Sequence, residues 1–362
     1  MRYRKTSLVF LATLALVAER GSAEDAPVVP TKEQVQKANE EFRKIDAYVM
    51  QYQYFPGTRN TTVFDISRAV VANGNKITDD LVKKIPEVPF PHGLLIYSDK
   101  FTGEGMGLFK GRKNFIEFDS PISALNDESM KELVKIESLE SLDLWAARKL
   151  TNEGLKTIVG LKNLKSLNVG GSAITGDGLA VLADKVQLEH LGISHLKLKD
   201  EHLNALKRLV NLKTVGLAEN RDLTLAALAV LRDCKNLEQL DLSHLNNTNE
   251  TLKEVSRYKK LKILKVFGGS AITDEGIDHI AGLTEMERLD LVYAKFTNAG
   301  FKKLRGMKDL THLSFGLSRV TDEVVDDLIQ FQKLQHVWLN SGWSKEAKAK
   351  LEKALPRCQI QD

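Results

Sequence analysis

Apolar and polar residues follow one short pattern, L-x-x-L-x-L, that returns many times along this chain. It is clearest in LESLDL at 139–144, LEHLGI at 188–193, LEQLDL at 237–242 and MERLDL at 286–291. Alternation over so short a run predicts a β-strand with one buried face. Each run is followed by an apolar pair at helical spacing, as in Leu155 with Ile158, Leu179 with Leu182, Leu203 with Leu206, Ile277 with Ile280 and Phe301 with Leu304. Each unit is therefore predicted to be one short strand and one short helix.

A second motif joins each predicted strand to its helix. It reads ITDEGI at 272–277, with near copies LTNEGL at 150–155, ITGDGL at 174–179 and FTNAGF at 296–301. Its threonine and the equivalent residues recur every 23 to 25 positions from Thr78 to Ser344. Threonine at a helix start accepts a bond from a free N–H, and carboxylates suit the positive end of the helix dipole. We interpret the motif as a helix start, not an acid–base site, and its glycine as a point of close packing between units.

Period and pattern together resemble the leucine-rich repeat over roughly residues 62–355. The I-T-D-x-G-L helices and the closing ALPRCQI are similar to secreted bacterial members of that family. The resemblance implies an α/β fold of the ribonuclease-inhibitor type, a right-handed solenoid or horseshoe with a parallel sheet on its concave face and short helices on its convex face. The Asn or Cys that commonly follows the strand in this family is retained here only as Asn220. The turn backbone must therefore find other hydrogen-bond partners.

The two ends of the chain differ from the repeats. Residues 1–23 combine the basic MRYRK, an apolar run of 12 residues and the small residues GSA, which predicts a signal peptide cleaved after Ala23. The run is shorter than the ~20 residues that a membrane span needs. We predict a leader and N-terminal capping helix in 24–61, with the helix over 31–53. The leucine-rich-repeat domain follows at 62–343, and a C-terminal capping helix and tail at 344–362.

Composition and charge narrow the class of protein. Residues 1–23 carry four basic residues and one Glu, so their removal takes the formal net charge from +4 to +1. Nearly neutral, interspersed charge argues against nucleic acid or an anionic membrane surface as the partner. Cys234 and Cys358 lie several repeats apart, too far for a disulfide. The sequence has no G-x-S-x-G, H-E-x-x-H, C-x-x-C or Walker motif, so we predict no enzyme and no cofactor.

Residues between the buried strand leucines are expected to face the concave groove in rows, one residue per repeat. One row runs from Ser141 to His336, and the next from Asp143 to Trp338. The C-terminal half of these rows is rich in the aromatic and arginine side chains that dominate interfaces. We predict the partner-binding site there, formed by Lys265, Phe267, Arg288, Asp290, Tyr293, His312, His336 and Trp338.

Structural alternatives exist for several of these residues. Trp338 could pack with Trp343 under the C-terminal cap, and Lys265 could form a cross-strand charge pair with Asp290. His312 and His336, adjacent in one row, could share a metal ion. We predict no metal at that pair, because tetrahedral zinc requires further ligands and Arg288 lies alongside.

These observations predict a non-enzymatic, exported interaction protein, either secreted or held in the periplasm or cell envelope. It is expected to be a monomer, without membrane insertion after signal cleavage, that binds a protein or peptide partner on its concave face. An alternative is a glycan-binding or cell-envelope structural protein with Trp145, Phe267, Tyr293 and Trp338 as sugar platforms. A third is an enzyme that uses His312, His336 and Asp290.

Overall fold

The computed structural model describes residues 30–45, 47–51, 62–65 and 79–362. The predicted signal peptide, the leader up to residue 29 and the first threonine marker, Thr78, lie outside the described residues.

Fourteen strands form a single sheet in chain order across the described ranges. Only the pair β1–β2 is antiparallel, and β2 to β14 run parallel, each paired with the strand of the next repeat. The strands are β1 (Tyr48–Gln51), β2 (Thr62–Asp65), β3 (His92–Leu95), β4 (Phe115–Asp119), β5 (Ser141–Asp143), β6 (Ser166–Asn168), β7 (His190–Gly192), β8 (Thr214–Gly216), β9 (Gln239–Asp241), β10 (Ile263–Lys265), β11 (Arg288–Asp290), β12 (His312–Ser314), β13 (His336–Trp338) and β14 (Gln359–Gln361).

Short helices alternate with these strands. The α-helices are α1 (Lys32–Arg43), α2 (Asp79–Val82), α3 (Asp127–Leu133), α4 (Asn152–Lys156), α5 (Leu225–Ala229), α6 (Asn249–Val255), α7 (Asp274–Ile280), α8 (Asn298–Lys303), α9 (Val325–Leu328) and α10 (Lys345–Ala354). Several repeats use the tighter 3₁₀-helix in place of an α-helix or beside one: Met106–Phe109, Thr157–Gly160, Gly176–Asp184, Asp200–Arg208, Leu304–Gly306 and Asp322–Val324. One strand and one short helix per repeat, with a parallel sheet throughout the repeats, confirm the predicted α/β leucine-rich-repeat solenoid.

The core is a ladder of strand leucines enclosed by the helices. The middle strand residue is at most 1% exposed in Leu142, Leu167, Leu191, Val215, Leu240, Leu264, Leu289 and Leu313. Fully burying one such side chain contributes roughly 1.5–3 kcal/mol. Because side chains alternate along a strand, the residues on either side of the middle position point away from this core. The open face of the sheet is therefore free to carry a site.

Helix starts link each repeat to the next. In α7 the threonine marker Thr273 is the N-cap and Asp274 lies in the first turn, as predicted. Thr273, however, makes no side-chain capping bond, and its Oγ1 instead accepts from Asn249 of the preceding repeat at 2.9 Å. Asp274 in turn accepts bonds from the backbone N–H and the hydroxyl of Thr297 in the following repeat, both at 2.7 Å. The motif therefore starts helices and also joins adjacent repeats.

The glycine of the motif makes room for this link. A Cβ placed on Gly300 would overlap Oδ1 of Asp274, and one on Gly154 would lie 2.5 Å from Oδ1 of Asp127. Asp127 binds Thr151 as Asp274 binds Thr297: it accepts from the backbone N–H of Thr151 at 2.8 Å and from its hydroxyl at 2.7 Å. The prediction that these glycines allow close packing between units is confirmed.

A backbone ladder replaces most of the missing asparagines. The third residue after each strand from β4 to β12 adopts a left-handed backbone, with φ between 54° and 69° at Ile122, Ala146, Gly171, His195, Glu219, His244, Tyr293 and Leu317, and 86° at Gly268. From Ile122 to Tyr293 the N–H of this residue donates to a carbonyl of the next repeat, as from His195 to Ala218 at 2.9 Å and from Tyr293 to Gly316 at 3.0 Å. The turn backbone is thereby satisfied without a side-chain amide.

The N-terminal helix is shorter than predicted. Helix α1 begins at a capping box between Thr31 and Gln34, as expected, but ends at Arg43. Residues 48–51 form β1, which pairs with β2, so the prediction of a helix to residue 53 was wrong. A short run of apolar residues is compatible with either a helix or a strand, and here pairing with β2 makes it a strand. At the other end, α10 begins at the Ser344 cap, and the tail adds one more parallel strand, β14. Within the described ranges, no helix has the length and apolarity needed to cross a bilayer.

Candidate functional site

The strands place the predicted rows as expected. Arg288 pairs in register with His312, and His312 with His336, in the first row. In the second row, Asp241 pairs with Lys265 and Ser314 with Trp338. These side chains project from the sheet face opposite the leucine core, so the candidate residues share one surface of β10–β13.

Three of the predicted residues and one that was not predicted form an aromatic cluster. We use this name for His244, Phe267, Tyr293 and Trp338. The Phe267 ring centroid lies 5.0 Å from that of His244, 5.6 Å from Tyr293 and 6.0 Å from Trp338. Tyr293 is 46% exposed, while Phe267 and Trp338 are partly buried. The cluster is therefore a contiguous, solvent-accessible apolar surface.

Trp338 reaches Phe267 across three strands because Gly316 lies between them. A Cβ on Gly316 would lie 3.0 Å from Nε1 of Trp338, so the indole lies over the glycine. Trp343 behaves differently, since it is 6% exposed and its ring packs 6.1 Å from that of Phe315 in the core. The cap-packing alternative thus describes Trp343, whereas Trp338 contributes to the open face.

His244 was missed because it occupies the left-handed turn position, outside the strand rows. Tyr293 occupies the same turn position two repeats away, with φ of 69°. His244 and Tyr293 precede the threonine markers Thr248 and Thr297 by the same number of residues. This spacing was the signal in the sequence that could have placed both residues in one row. The turn therefore adds side chains to the edge of the concave face.

Ion pairs flank the cluster. Arg288 Nε donates to Asp290 Oδ2 at 2.8 Å, and the Ser314 hydroxyl donates to Oδ1 at 2.7 Å. Lys265 instead lies 3.9 Å from Asp241 Oδ2. The alternative of a Lys265–Asp290 pair is therefore not formed, because Asp290 already has a hydrogen bond to each carboxylate oxygen. Asp290 is 7% exposed, and its carboxylate holds Arg288 against the sheet.

His312 and His336 stack with their centroids 4.6 Å apart and their planes at 19°. Burial, then the positive charge of Arg288 and the neighbouring His336, lowers the pKa of His312 to about 4. Burial and Arg288 also lower the pKa of His336. Both imidazoles are therefore neutral at pH 7. Their nearly parallel planes direct the nitrogen lone pairs side by side, which does not suit a shared metal ion.

The surroundings of the histidine pair bear on the metal and acid–base alternatives. Within the described ranges, no group of three or more His, Cys, Asp or Glu side chains is placed to hold a metal ion. The His312 ring nitrogen Nδ1 lies 2.9 Å from the hydroxyl of Thr311 and is not oriented by Asp290. The arrangement offers instead an aromatic surface bordered by fixed charges, which suits recognition.

Trp145 lies apart from the aromatic cluster. Its ring sits over Gly170, with Cζ3 2.5 Å from where a Cβ would be, and meets His195 edge-on at 5.4 Å. The single platform of Trp145, Phe267, Tyr293 and Trp338 is therefore not formed. Trp145 and the aromatic cluster are therefore separate on the open face, one on each side of the middle strands.

Comparison with known proteins supports the fold. No protein-family model and no curated protein matches the chain. Among solved structures, the Rad7–Elc1 complex from yeast matches with a TM-score of 0.58 at 17% identity, covering 82% of this chain and 86% of that one. Internalin C2 from Listeria monocytogenes matches with 0.45 at 20% identity (59% and 84%), and a leucine-rich-repeat protein from Leptospira interrogans with 0.44 at 20% (75% and 76%). At these identities the likeness concerns the fold alone, and the α/β leucine-rich-repeat solenoid rests on the order of strands and helices described above.

Proposed function

We propose that this chain is a non-enzymatic, exported interaction protein that binds a protein or peptide partner through the C-terminal half of its concave face. The observation that carries the proposal is the aromatic cluster, in which the rings of His244, Tyr293 and Trp338 each contact that of Phe267 on an open face. Contiguous exposed aromatic surface marks interaction sites.

The surroundings of the cluster support the same conclusion. The ion pair of Arg288 and Asp290 fixes the arginine at the edge of the cluster, so little side-chain entropy is lost when a partner binds. The parallel sheet beneath holds the rows rigidly, which also lowers the ordering cost. The fold favours this use by analogy, since solenoids present extended concave surfaces.

Site-specific crosslinking tests the partner site. A photoreactive benzoylphenylalanine would replace Tyr293 in the full chain, and in a matched control it would replace Leu225, which is similarly exposed at 44% in helix α5. We expect a discrete adduct from position 293 in envelope extract, none from position 225, and loss of the adduct on Phe267→Ala. Equal adducts from both positions, or none from 293, would show that the cluster is not the binding surface.

Export is the second part of the proposal. It rests on the basic start, the apolar run of 12 residues and the small residues before Glu24. Mass spectrometry of the chain recovered from the extracytoplasmic fraction should give a protein that begins at Glu24. A protein that stays in the cytoplasm with residues 1–23 attached would refute export while leaving the partner site untouched.

A further inference from the structure

We propose a second binding site, for a neutral mono- or disaccharide, in a hollow over the middle strands β7–β10. The hollow encloses about 280 Å³. This is just below the roughly 300–1,000 Å³ of drug-sized ligand pockets, which suits one or two sugar rings better than a long chain. The site is separate from the aromatic cluster and does not depend on the partner proposed above.

The hollow exists because the second row lacks side chains at two successive strands. Gly192 and Gly216 occupy that row in β7 and β8, and both line the hollow. A Cβ on Gly216 would lie 3.4 Å from the Ser194 hydroxyl and 3.8 Å from the Cα of Gly192. The strand backbone forms the floor, and its hydrogen bonds are already made within the sheet, as from Ile193 to Gly216 at 3.0 Å. Specific contacts must therefore come from the walls.

One wall is aromatic and the others are polar. Trp145 lines the hollow from the N-terminal side, supplying the apolar surface on which the C–H face of a sugar ring can pack. Gln239 and Ser194 line it as well, and within the described part of the chain their amide and hydroxyl groups have no protein hydrogen-bond partner. These groups can donate to and accept from the hydroxyls of a ligand.

The charges in the lining favour a neutral ligand. Asp241 and Lys265 are its one carboxylate and one ammonium, and they lie 3.9 Å apart. A cationic ligand would meet Lys265 and an anionic ligand would meet Asp241, so neither gains net Coulombic attraction. A polyhydroxyl ring can use both, since the carboxylate accepts and the ammonium donates.

The test is titration of the full chain with three neutral disaccharides, cellobiose, maltose and N,N′-diacetylchitobiose, followed by saturation-transfer NMR and calorimetry. Glucose 6-phosphate and N-acetylargininamide serve as anionic and cationic probes. We expect saturable binding of at least one neutral disaccharide with a Kd below about 10 mM, and weaker binding of both charged probes.

The variant Gly216→Leu fills the hollow from its floor, at a position with ordinary strand backbone and room for a Cβ. It should weaken disaccharide binding at least about tenfold. Gly282→Leu is the matched control, because Gly282 faces open space, and it should bind as the native chain does. Crosslinking from position 293 should survive Gly216→Leu, which separates this proposal from the partner site. Three results would overturn it: no disaccharide binds, Gly216→Leu binds equally well, or only a charged probe binds.

Discussion

Replacing Gly300 with alanine tests the link between adjacent repeats. Gly300 lies in helix α8, where an added methyl would overlap Oδ1 of Asp274 and approach the Cα of Asp274 to 3.3 Å. Asp274 would have to move, and its two bonds to Thr297, each 2.7 Å, would be lost or stretched. The substitution thus makes the added methyl clash with the Asp274 carboxylate, which joins two repeats.

The magnitude follows from two opposing contributions. Hydrogen bonds to a charged acceptor contribute about 1.5–3 kcal/mol each, and because Asp274 is only half-buried the lower value applies, which gives about 3 kcal/mol for the two. Alanine is favoured over glycine inside a helix by about 1 kcal/mol. The free energy of unfolding should therefore fall by about 2 kcal/mol.

Urea unfolding followed by circular dichroism measures this change, with Gly282→Ala as the control. Gly282 has no heavy atom within 4 Å of an added Cβ, so its substitution should stay within about 0.5 kcal/mol of the native chain. A double-mutant cycle with Asp274→Ala should show coupling of at least about 1 kcal/mol, because both changes remove the same bonds. A Gly300→Ala chain as stable as Gly282→Ala, or strictly additive effects in the cycle, would refute the reasoning.

Three further predictions concern stability. The pKa of His312 in the folded chain, about 4, lies below its unfolded value near 6.5, so unfolding takes up a proton between these pH values. The contribution of His312 to stability should therefore be complete above pH 6.5 and fall as the pH drops towards 4. The difference between the urea midpoints at pH 5 and pH 7.5 should be smaller in His312→Gln than in the native chain. Asn220 is fully buried and bonds Leu196, Leu198, Ile193 and Leu217, so Asn220→Ala should cost about 2–4 kcal/mol while the exposed Asn246→Ala stays within about 0.5 kcal/mol, as measured by urea unfolding. Trp343→Ala should cost about 3–5 kcal/mol because it leaves a cavity against Phe315, and thermal unfolding would check it.

The sequence was sufficient for those features that local patterns determine. Strand alternation identified the buried leucines, and the threonine spacing located the helix starts from Asn126 to Ser344, because both depend on residues only a few positions apart. The marker Thr102 did not locate one, since the helix there begins after Gly105. The rows followed directly, since stacked repeats in register bring equivalent residues together. The candidate residues from Lys265 to Trp338 were accordingly predicted to share one surface.

Features that depend on contacts between repeats could not be read in the same way. The contact between Phe267 and Trp338 spans three strands and depends on the empty space at Gly316. Pairing of Asp290 with its strand neighbour Lys265 was one alternative, yet Arg288, two residues away on its own strand, bonds it instead. Which of two nearby cations binds a carboxylate depends on side-chain geometry, which cannot be derived from the sequence pattern.

The ladders explain why the concave face varies so widely in this chain. The links between helix starts, such as Asp274 to Thr297, hold successive repeats together on one side of the core. The left-handed turns hold them on the other side, through backbone groups alone, as from His195 to Ala218. Neither ladder uses a side chain of the concave strand rows. These positions can therefore be glycine, as at Gly216, or tryptophan, as at Trp338, without loss of either ladder. We infer that the rows are where this solenoid can adapt to ligands, because neither ladder depends on their side chains.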